Sequence, residues 1–434
     1  MRHNKEKTVF ILTFWFSTNF GTTVQNFALT EKIKYMGFNP KTILWVFSVF
    51  NNFGVKNDVF SEFRKKHIPS TEPCFTQKEL TRIMKGGDRI IIGADQVFGA
   101  MKQKNGEYRC GFRFGGDFVS GRKVLASYAA SYGVNEFKAE DFTVKECSRL
   151  LQRFDRLGVR EGYGVELLKN VFGVDGIEVL DPVLLIPPSR YQEIIDETEN
   201  LVRHDKDYIA YLMLRPGGQA VLGVDPNLKK RLEGETILNI NLDEKGKLNT
   251  VGQWLYNIKN AKLVITNSFH CTALAIIFRR PFIALEQGSQ GVGRLRNITA
   301  NFRLQHCLKA KIADITADDL NPQINWDEVD AIKKERLEVS ERYLNEVLNM
   351  EPTYKEPFVS KYSDLARKRY DRAYTYRLKG QHILTRKGMK YSFIEFLLRV
   401  FSSKKAYEKF KATPASYFAD SKNALTRFLG YLWF

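Results

Sequence analysis

The sequence predicts an α/β protein of two domains, each a parallel sheet covered by helices, facing one another across a cleft. Three observations carry the prediction. Short apolar, β-branched runs alternate with helical patterns along most of the chain, the order that parallel sheets require. A proline pair, Pro187 and Pro188, followed by a charged stretch from Glu193 to Asp207, reads as a connector that divides the series in two. The length of 434 residues accommodates two domains of ordinary size and an appendage, and 44% hydrophobic residues suits a globular chain. The expected boundaries are 1–200, 201–354 and a basic extension over 355–434.

The first element is a strand over Val9 to Phe16. With Met1 to Lys7 before it, this run imitates the basic and apolar parts of a signal peptide, but no small-x-small cleavage site follows, and a strand is the better reading. Asn19-Phe20-Gly21 then turns into a helix with apolar positions Val24, Phe27, Ala28, Leu29 and Ile33 and a stop at Gly37. Arg89 to Gln96 is a short buried strand ending in a glycine turn at Gly93, and Lys123 to Ala130 followed by Ser131-Tyr132-Gly133 repeats the design. Val159 to Glu161, Val165 to Leu168 and Ile177 to Asp181 continue it, with Asp181-Pro182 as a turn. Tyr208 to Leu214 opens the second set of strands. No apolar stretch is long enough to span a bilayer.

Leu263 to Leu285 is the most informative stretch. An apolar run stops at Thr266-Asn267-Ser268, His270 follows, then a helical pattern to Phe278, then a second apolar run after Pro281. This is strand, turn, helix, strand with a histidine at the turn. In an open α/β sheet that turn lies in the crevice at the carboxyl ends of the strands, where ligands bind. His270 is therefore placed for chemistry, and an imidazole that only satisfies the helix end is the competing reading.

Cysteine and histidine usage narrows the chemistry. Cys74, Cys110, Cys147, Cys271 and Cys307 are odd in number and lack Cys-x-x-Cys spacing, which suits a reducing cytoplasm and points to neither a disulfide framework nor a zinc site. The six histidines are scattered without ligand spacing, and no metal is expected.

The ordered set Asn19-Phe20-Gly21, Gln25 to Leu29, Ile92-Gly93-Ala94-Asp95-Gln96, Ser127 to Gly133, Val159-Arg160-Glu161, Leu180-Asp181-Pro182 and Thr266 to His270 resembles the polysaccharide pyruvyl transferases over roughly residues 10–300. The resemblance implies two Rossmann-like halves arranged as in glycosyltransferase-B enzymes. It also implies that phosphoenolpyruvate, a substrate and not a cofactor, gives its three-carbon unit to a sugar as a pyruvate ketal and releases phosphate. His270 matches the family's active-site histidine and is expected to act as general acid or base. The donor carries a carboxylate and a phosphate, which guanidinium groups hold well. Arg215, directly after the strand that opens the second domain, resembles the family's arginine there and is the first choice for that anion.

One position departs from the family. Many members carry arginine two residues before the histidine, where this chain has Ser268, a group that can donate one hydrogen bond but brings no charge. Arg294 is the nearest candidate to compensate. It follows a glycine-rich loop, Gln287 to Gly293, whose Gly291 and Gly293 would let backbone N–H groups approach an anion; a surface turn is the competing reading. The acceptor sugar is expected in the first domain, at Asp95 and Gln96 with Asn19 and Gln25 beside them, although an Asp after a strand is also a common helix cap.

Residues 355–434 hold 18 Lys and Arg against 6 Asp and Glu, a net +12 of the chain's +18. Apolar and basic residues are mixed there at helical spacing. This suits a helix on an anionic membrane surface, where an enzyme would meet a lipid-linked acceptor at the inner face. A packed tail with a solvated basic face is the alternative. No motif for DNA or RNA recognition accompanies the charge. Three functions therefore compete: a pyruvyltransferase acting on a cell-surface glycan precursor, a nucleotide-sugar glycosyltransferase of similar architecture, and a non-catalytic glycan-binding relative.

Overall fold

The computed structural model describes residues 7–15, 19–45, 58–74, 77–101, 110–215, 221, 223–287 and 292–359. The first half carries strands β1 (Thr8–Leu12), β2 (Asn39–Thr42), β3 (Arg89–Ile92), β4 (Gly121–Ala130), β5 (Arg156–Val159) and β6 (Ile177–Glu178) in the order β2-β1-β3-β4-β5-β6, every pair parallel. Its helices are α1 (Phe20–Tyr35), α2 (Val59–His67), α3 (Gln77–Ile83), α4 (Asp141–Leu151), α5 (Gly162–Phe172) and α6 (Pro188–Asp196). The second half carries β7 (Ile209–Leu212), β8 (Ile237–Asn239), β9 (Leu263–Thr266), β10 (Phe282–Leu285) and β11 (Leu308–Lys309) in the order β11-β10-β9-β7-β8, again all parallel. Helices α7 (Pro226–Arg231), α8 (Val251–Lys259), α9 (Phe269–Ile277) and α10 (Val292–Asn301) accompany it.

Counted from its own first strand, each sheet begins in the order 2-1-3-4-5. The winding therefore reverses between β1 and β3 in one half and between β7 and β9 in the other. At such a reversal the connecting loops leave in opposite directions and open a crevice at the carboxyl ends of the strands. The expected fold of two Rossmann-like halves is the one observed.

One apolar cluster runs across both halves, and each sheet carries a second cluster on its other face. Val9, Val24 and Ala126 of the first sheet layer belong to the same buried cluster as Trp254, Val264 and Ala284 of the second. Helix α1 lies in the middle of it, with Val24, Phe27, Ala28, Leu29 and Ile33 all fully buried, as the apolar pattern requires. Phe20 at its start stacks on Trp254 of α8, ring centroids 5.1 Å apart, which adds about 1 kcal/mol to the burial of the two rings. Gly37 ends the helix with φ +85°.

Two segments depart from the sequence expectation. The stretch taken as a connector contains α6, because Pro188 sits in the first turn, where its missing N–H costs nothing, and Tyr191, Ile194 and Ile195 bury one face. The last part of residues 201–354 does not stay with the second sheet. Helix α11 (Trp326–Asn349) returns to the first half, where Tyr343 Oη donates to the Ser127 carbonyl at 2.7 Å and Ser340 Oγ accepts from Leu180 N at 2.9 Å. Strand β12 (Thr353–Lys355) then pairs antiparallel with β4. Of the basic extension over 355–434, residues 360–434 lie outside the described residues.

Candidate active site

Each sheet's reversal point delivers one half of the site. After β3 the chain turns at Gly93, where φ is +135° and a Cβ would stand 2.0 Å from the Tyr128 carbonyl oxygen, so only glycine fits. Asp95 follows in the left-handed region at φ 68°. Its Oδ1 accepts from Gln96 N at 2.9 Å and its Oδ2 from Thr22 Oγ1 at 2.8 Å, which ties the β3 loop to the first turn of α1. Asn19 caps that helix, its Oδ1 accepting from Gly21 N at 2.9 Å.

After β9, Asn267 stitches the second crevice together. Its side chain accepts from Leu214 N at 2.7 Å and donates to the carbonyls of Leu214, at 2.9 Å, and Gln287, at 3.2 Å. Ser268 is the cap of α9 and accepts from Cys271 N. An arginine in its place would leave that cap unmade, so the departure from the family pattern has a local structural counterpart. His270 is the second residue of α9, 5% exposed, and therefore not the cap. Its ring rests on Gly21 at the amino end of α1, which brings the two helix starts together.

A buried ionic cluster joins the halves at this point. Arg160, after β5, places its guanidinium 4.7 Å from the Phe269 ring centroid and is flanked by Asp181 at 3.3 Å, Asp95 at 3.5 Å and Glu161 at 3.8 Å. His270 Nε2 is 3.6 Å from Asp181 Oδ2. Arg294, from the first turn of α10, acts electrostatically on Asp95 and Glu161. All three guanidinium nitrogens of Arg160, together with Arg294 Nε, Glu161 Oε2, Asp181 Oδ2, Tyr163 Oη and His270 Nε2, are buried without a hydrogen-bond partner within the protein. Buried polar groups are expensive to leave unpaired, and a concentration of them is what the binding of a polar ligand or water would relieve.

Charge within the cluster is uneven. Burial works against ionisation of Asp95, but His270, Arg160, Arg294 and the Thr22 hydroxyl outweigh it and hold the carboxyl at about 2. The same contest at Asp181 is won by Arg160 and His270, and its carboxyl also lies below the ordinary range. At Glu161 burial prevails over Arg160 and Arg294 and pushes the carboxyl up. Burial disfavours the Arg160 charge, but Asp181, Glu161 and Asp95 more than restore it, whereas Arg294 is lowered by burial and by repulsion from Arg160.

The residues singled out in the sequence separate into groups. His270, Asp95 and Arg294 meet in the cluster. Arg215 is exposed beyond the end of β7, next to the Leu214–Asn267 bonds and hence beside the start of α9, and has no acidic partner among the described residues. Gln96 lies against Gly133 and offers its backbone N–H to Asp95, while Asn19 is occupied as a cap. Gln25 is wholly buried and donates to Thr13 Oγ1 at 3.1 Å, so it braces α1 against β1 and lines no open surface. Gly293 lies against the first half, where a Cβ would stand 2.1 Å from the side-chain oxygen of Asn135. Gly291 lies outside the described residues. Arg160, Glu161 and Asp181 were the residues that the pattern alone did not assign, although all three lie in segments that carry the family resemblance.

A family model described as polysaccharide pyruvyl transferase matches residues 25–289, more than half of the chain. Among solved structures, a glycosyltransferase from Rickettsia africae is similar over 80% of this chain and 98% of its own, with 12% identity and a TM-score of 0.41. UDP-GlcNAc 2-epimerase from Neisseria meningitidis is similar over 79% and 98%, with 8% identity and a TM-score of 0.43. The wall teichoic acid polymerase TagF is similar over 80% and 90%, with 14% identity and a TM-score of 0.39. At these values the likeness says nothing about substrate. No curated protein sequence matches this chain.

Proposed function

Because the chain belongs to the polysaccharide pyruvyl transferase family, we propose that it moves the three-carbon unit of phosphoenolpyruvate onto two hydroxyls of a glycan or its lipid-linked precursor, with His270 as the acid and base. One observation carries the reading: a lone histidine stands at the reversal point of the second sheet and faces a buried ionic cluster that joins Asp95, from the reversal point of the first sheet, to Arg160 and Asp181 from beyond β5 and β6. In the first step a sugar hydroxyl adds to the central carbon of phosphoenolpyruvate while the methylene carbon gains a proton. His270 takes the proton from the hydroxyl and delivers one to the carbon, so its own protonation is unchanged over the step. In the second, a neighbouring hydroxyl displaces phosphate from the same carbon, its proton leaving with the phosphate. Ketal and inorganic phosphate are the products.

Charge balance supports one placement of the donor anion. Arg160 is already surrounded by three carboxylates, and a further anion beside it meets repulsion. Arg215 has no such company among the described residues, and the amino ends of α1 and α9 add their partial positive charge. The phosphate and carboxylate are therefore assigned to Arg215 with Arg294 nearer the reacting carbon, and the acceptor hydroxyls to the Asp95 side. No helix of the described residues is long and apolar enough to cross a membrane. Attachment to an anionic membrane surface through residues 355–434 remains part of the proposal, and loss of flotation with anionic vesicles on deleting residues 360–434 is its test.

The test of the reaction is phosphate release from phosphoenolpyruvate by the full chain in the presence of diol-bearing glycans, with the ketal identified by mass spectrometry. Wild-type turnover that falls at least about a hundredfold in His270→Ala supports the reading. Release of a nucleoside diphosphate from a nucleotide sugar, with phosphoenolpyruvate left intact, overturns it.

A further inference from the structure

We propose that Asp181 is the positioning residue of His270, a role that rests on the histidine chemistry above. The two side chains come from different halves of the molecule. Asp181 lies in the turn after β6, and its carboxylate is held from two sides. Oδ1 accepts from Val183 N at 3.0 Å, which fixes the plane of the group, and Oδ2 is left facing His270 Nε2 at 3.6 Å and Arg160 Nε at 3.3 Å. Asp181 is 2% exposed, so no bulk water competes for Oδ2, and that oxygen has no hydrogen-bond partner. Pro182 follows at the start of a short 3₁₀ turn, Pro182–Leu184, that packs against both α1 and α9, so the carboxylate and the helix bearing the histidine share one support.

The geometry sets the two ring nitrogens apart. Nε2 points to Asp181, while Nδ1 is the nitrogen next to Gly21 at the amino end of α1. A carboxylate on one nitrogen favours the tautomer that carries its proton there and leaves the other nitrogen to exchange protons with substrate. It also stabilises the imidazolium that forms when the hydroxyl proton is taken up. The other charges that face the ring are Asp95 from the β3 loop, Arg160 between the two aspartates, and Arg294 of α10, which acts on Asp95. Asp95 is engaged by Thr22 and Gln96, which leaves Asp181 as the carboxylate within ion-pair distance of the imidazole among the described residues.

A purely structural role, in which Asp181 only caps the turn and neutralises Arg160, makes a different prediction. Asp181→Asn keeps the size and the Oδ1 acceptor and removes the charge. The expected result is a kcat lower by about a hundredfold with the KM for phosphoenolpyruvate within about twofold, and a pH–rate limb moved toward acid by about one unit. Arg160→Gln breaks the same ion pair but takes away a positive charge that faces the ring, so it is expected to move that limb the opposite way, toward alkali. An unmoved limb in Asp181→Asn, or the same displacement in both variants, overturns the proposal. A readout independent of turnover separates this failure from failure of the reaction itself. In protein labelled at its six histidines, the His270 ring signal, assigned by its loss in His270→Gln, titrates at lower pH in Asp181→Asn than in wild type. Coincident titration curves sink the positioning role even if phosphoenolpyruvate proves not to be the donor.

Discussion

A methyl group on Gly21 would stand 2.4 Å from Nδ1 of His270 and 2.6 Å from its Cβ. The first turn of α1 and the first turn of α9 are thus in contact through a position that has no side chain, and the imidazole of one half occupies the space that a Cβ on the other would fill. The amino ends of two helices meet there, on the side of the ring away from Asp181.

Gly21→Ala is expected to displace the imidazole and lower kcat/KM by at least about tenfold while the chain still folds, since alanine is the better helix former. A melting temperature within a few degrees of wild type together with the loss of turnover is the expected pair of results. Full activity in the variant would show that the ring tolerates a shift.

Asp95→Asn tests the electrostatics of the cluster. The folded carboxyl at about 2 lies below its ordinary 3.8, so the group stabilises the fold above that ordinary value and loses the contribution as pH falls from about 4 to 2. At pH 7 the full amount is present, roughly 2 kcal/mol. Urea denaturation at pH 7 should show the variant less stable by about that amount, and the gap should narrow as the pH is lowered toward 4 and below. A gap that is constant from pH 7 to 3 would assign the effect to packing.

Asn297→Ala tests the joint between the halves. Asn297 accepts from Gly162 N at 3.1 Å and donates to Glu178 at 2.9 Å, while Glu178 also holds Asn301 at 2.7 Å and Arg336 at 2.9 Å. Losing the two bonds costs about 1–2 kcal/mol, because the Gly162 N–H at the start of α5 is left without its partner. The change should appear in the urea midpoint with the slope unaltered. A biphasic transition would show instead that the halves unfold separately.

Much of the fold was legible because its signals are local. Arg89 to Ile92 and Leu263 to Thr266 are apolar runs of strand length ended by glycine or polar turns, and each forms the strand that its pattern implies, whereas the strand expected over Val9 to Phe16 ends at Leu12. His270 was legible for the same reason, being the histidine at the turn after the clearest of these strands. The segment around α6 was misread because its two prolines and many charges look like a connector, whereas proline is acceptable in a first helical turn and the apolar residues that matter are only Tyr191, Ile194 and Ile195.

The sequence by itself determined that this chain forms parallel sheets and that a histidine lies just past the end of one strand. Both follow from side-chain period and turn chemistry within a dozen or so neighbouring residues. Tertiary structure alone decided that Asp95, Arg160, Asp181 and Arg294, which belong to four different loops and helix starts, close around that histidine, that Gln25 braces a helix, and that α11 crosses back to the first half. The physical reason is range. Periodicity and capping act over a few residues, whereas the pairing of buried charges depends on which strand ends the sheet winding brings together, and no single stretch of sequence contains that information.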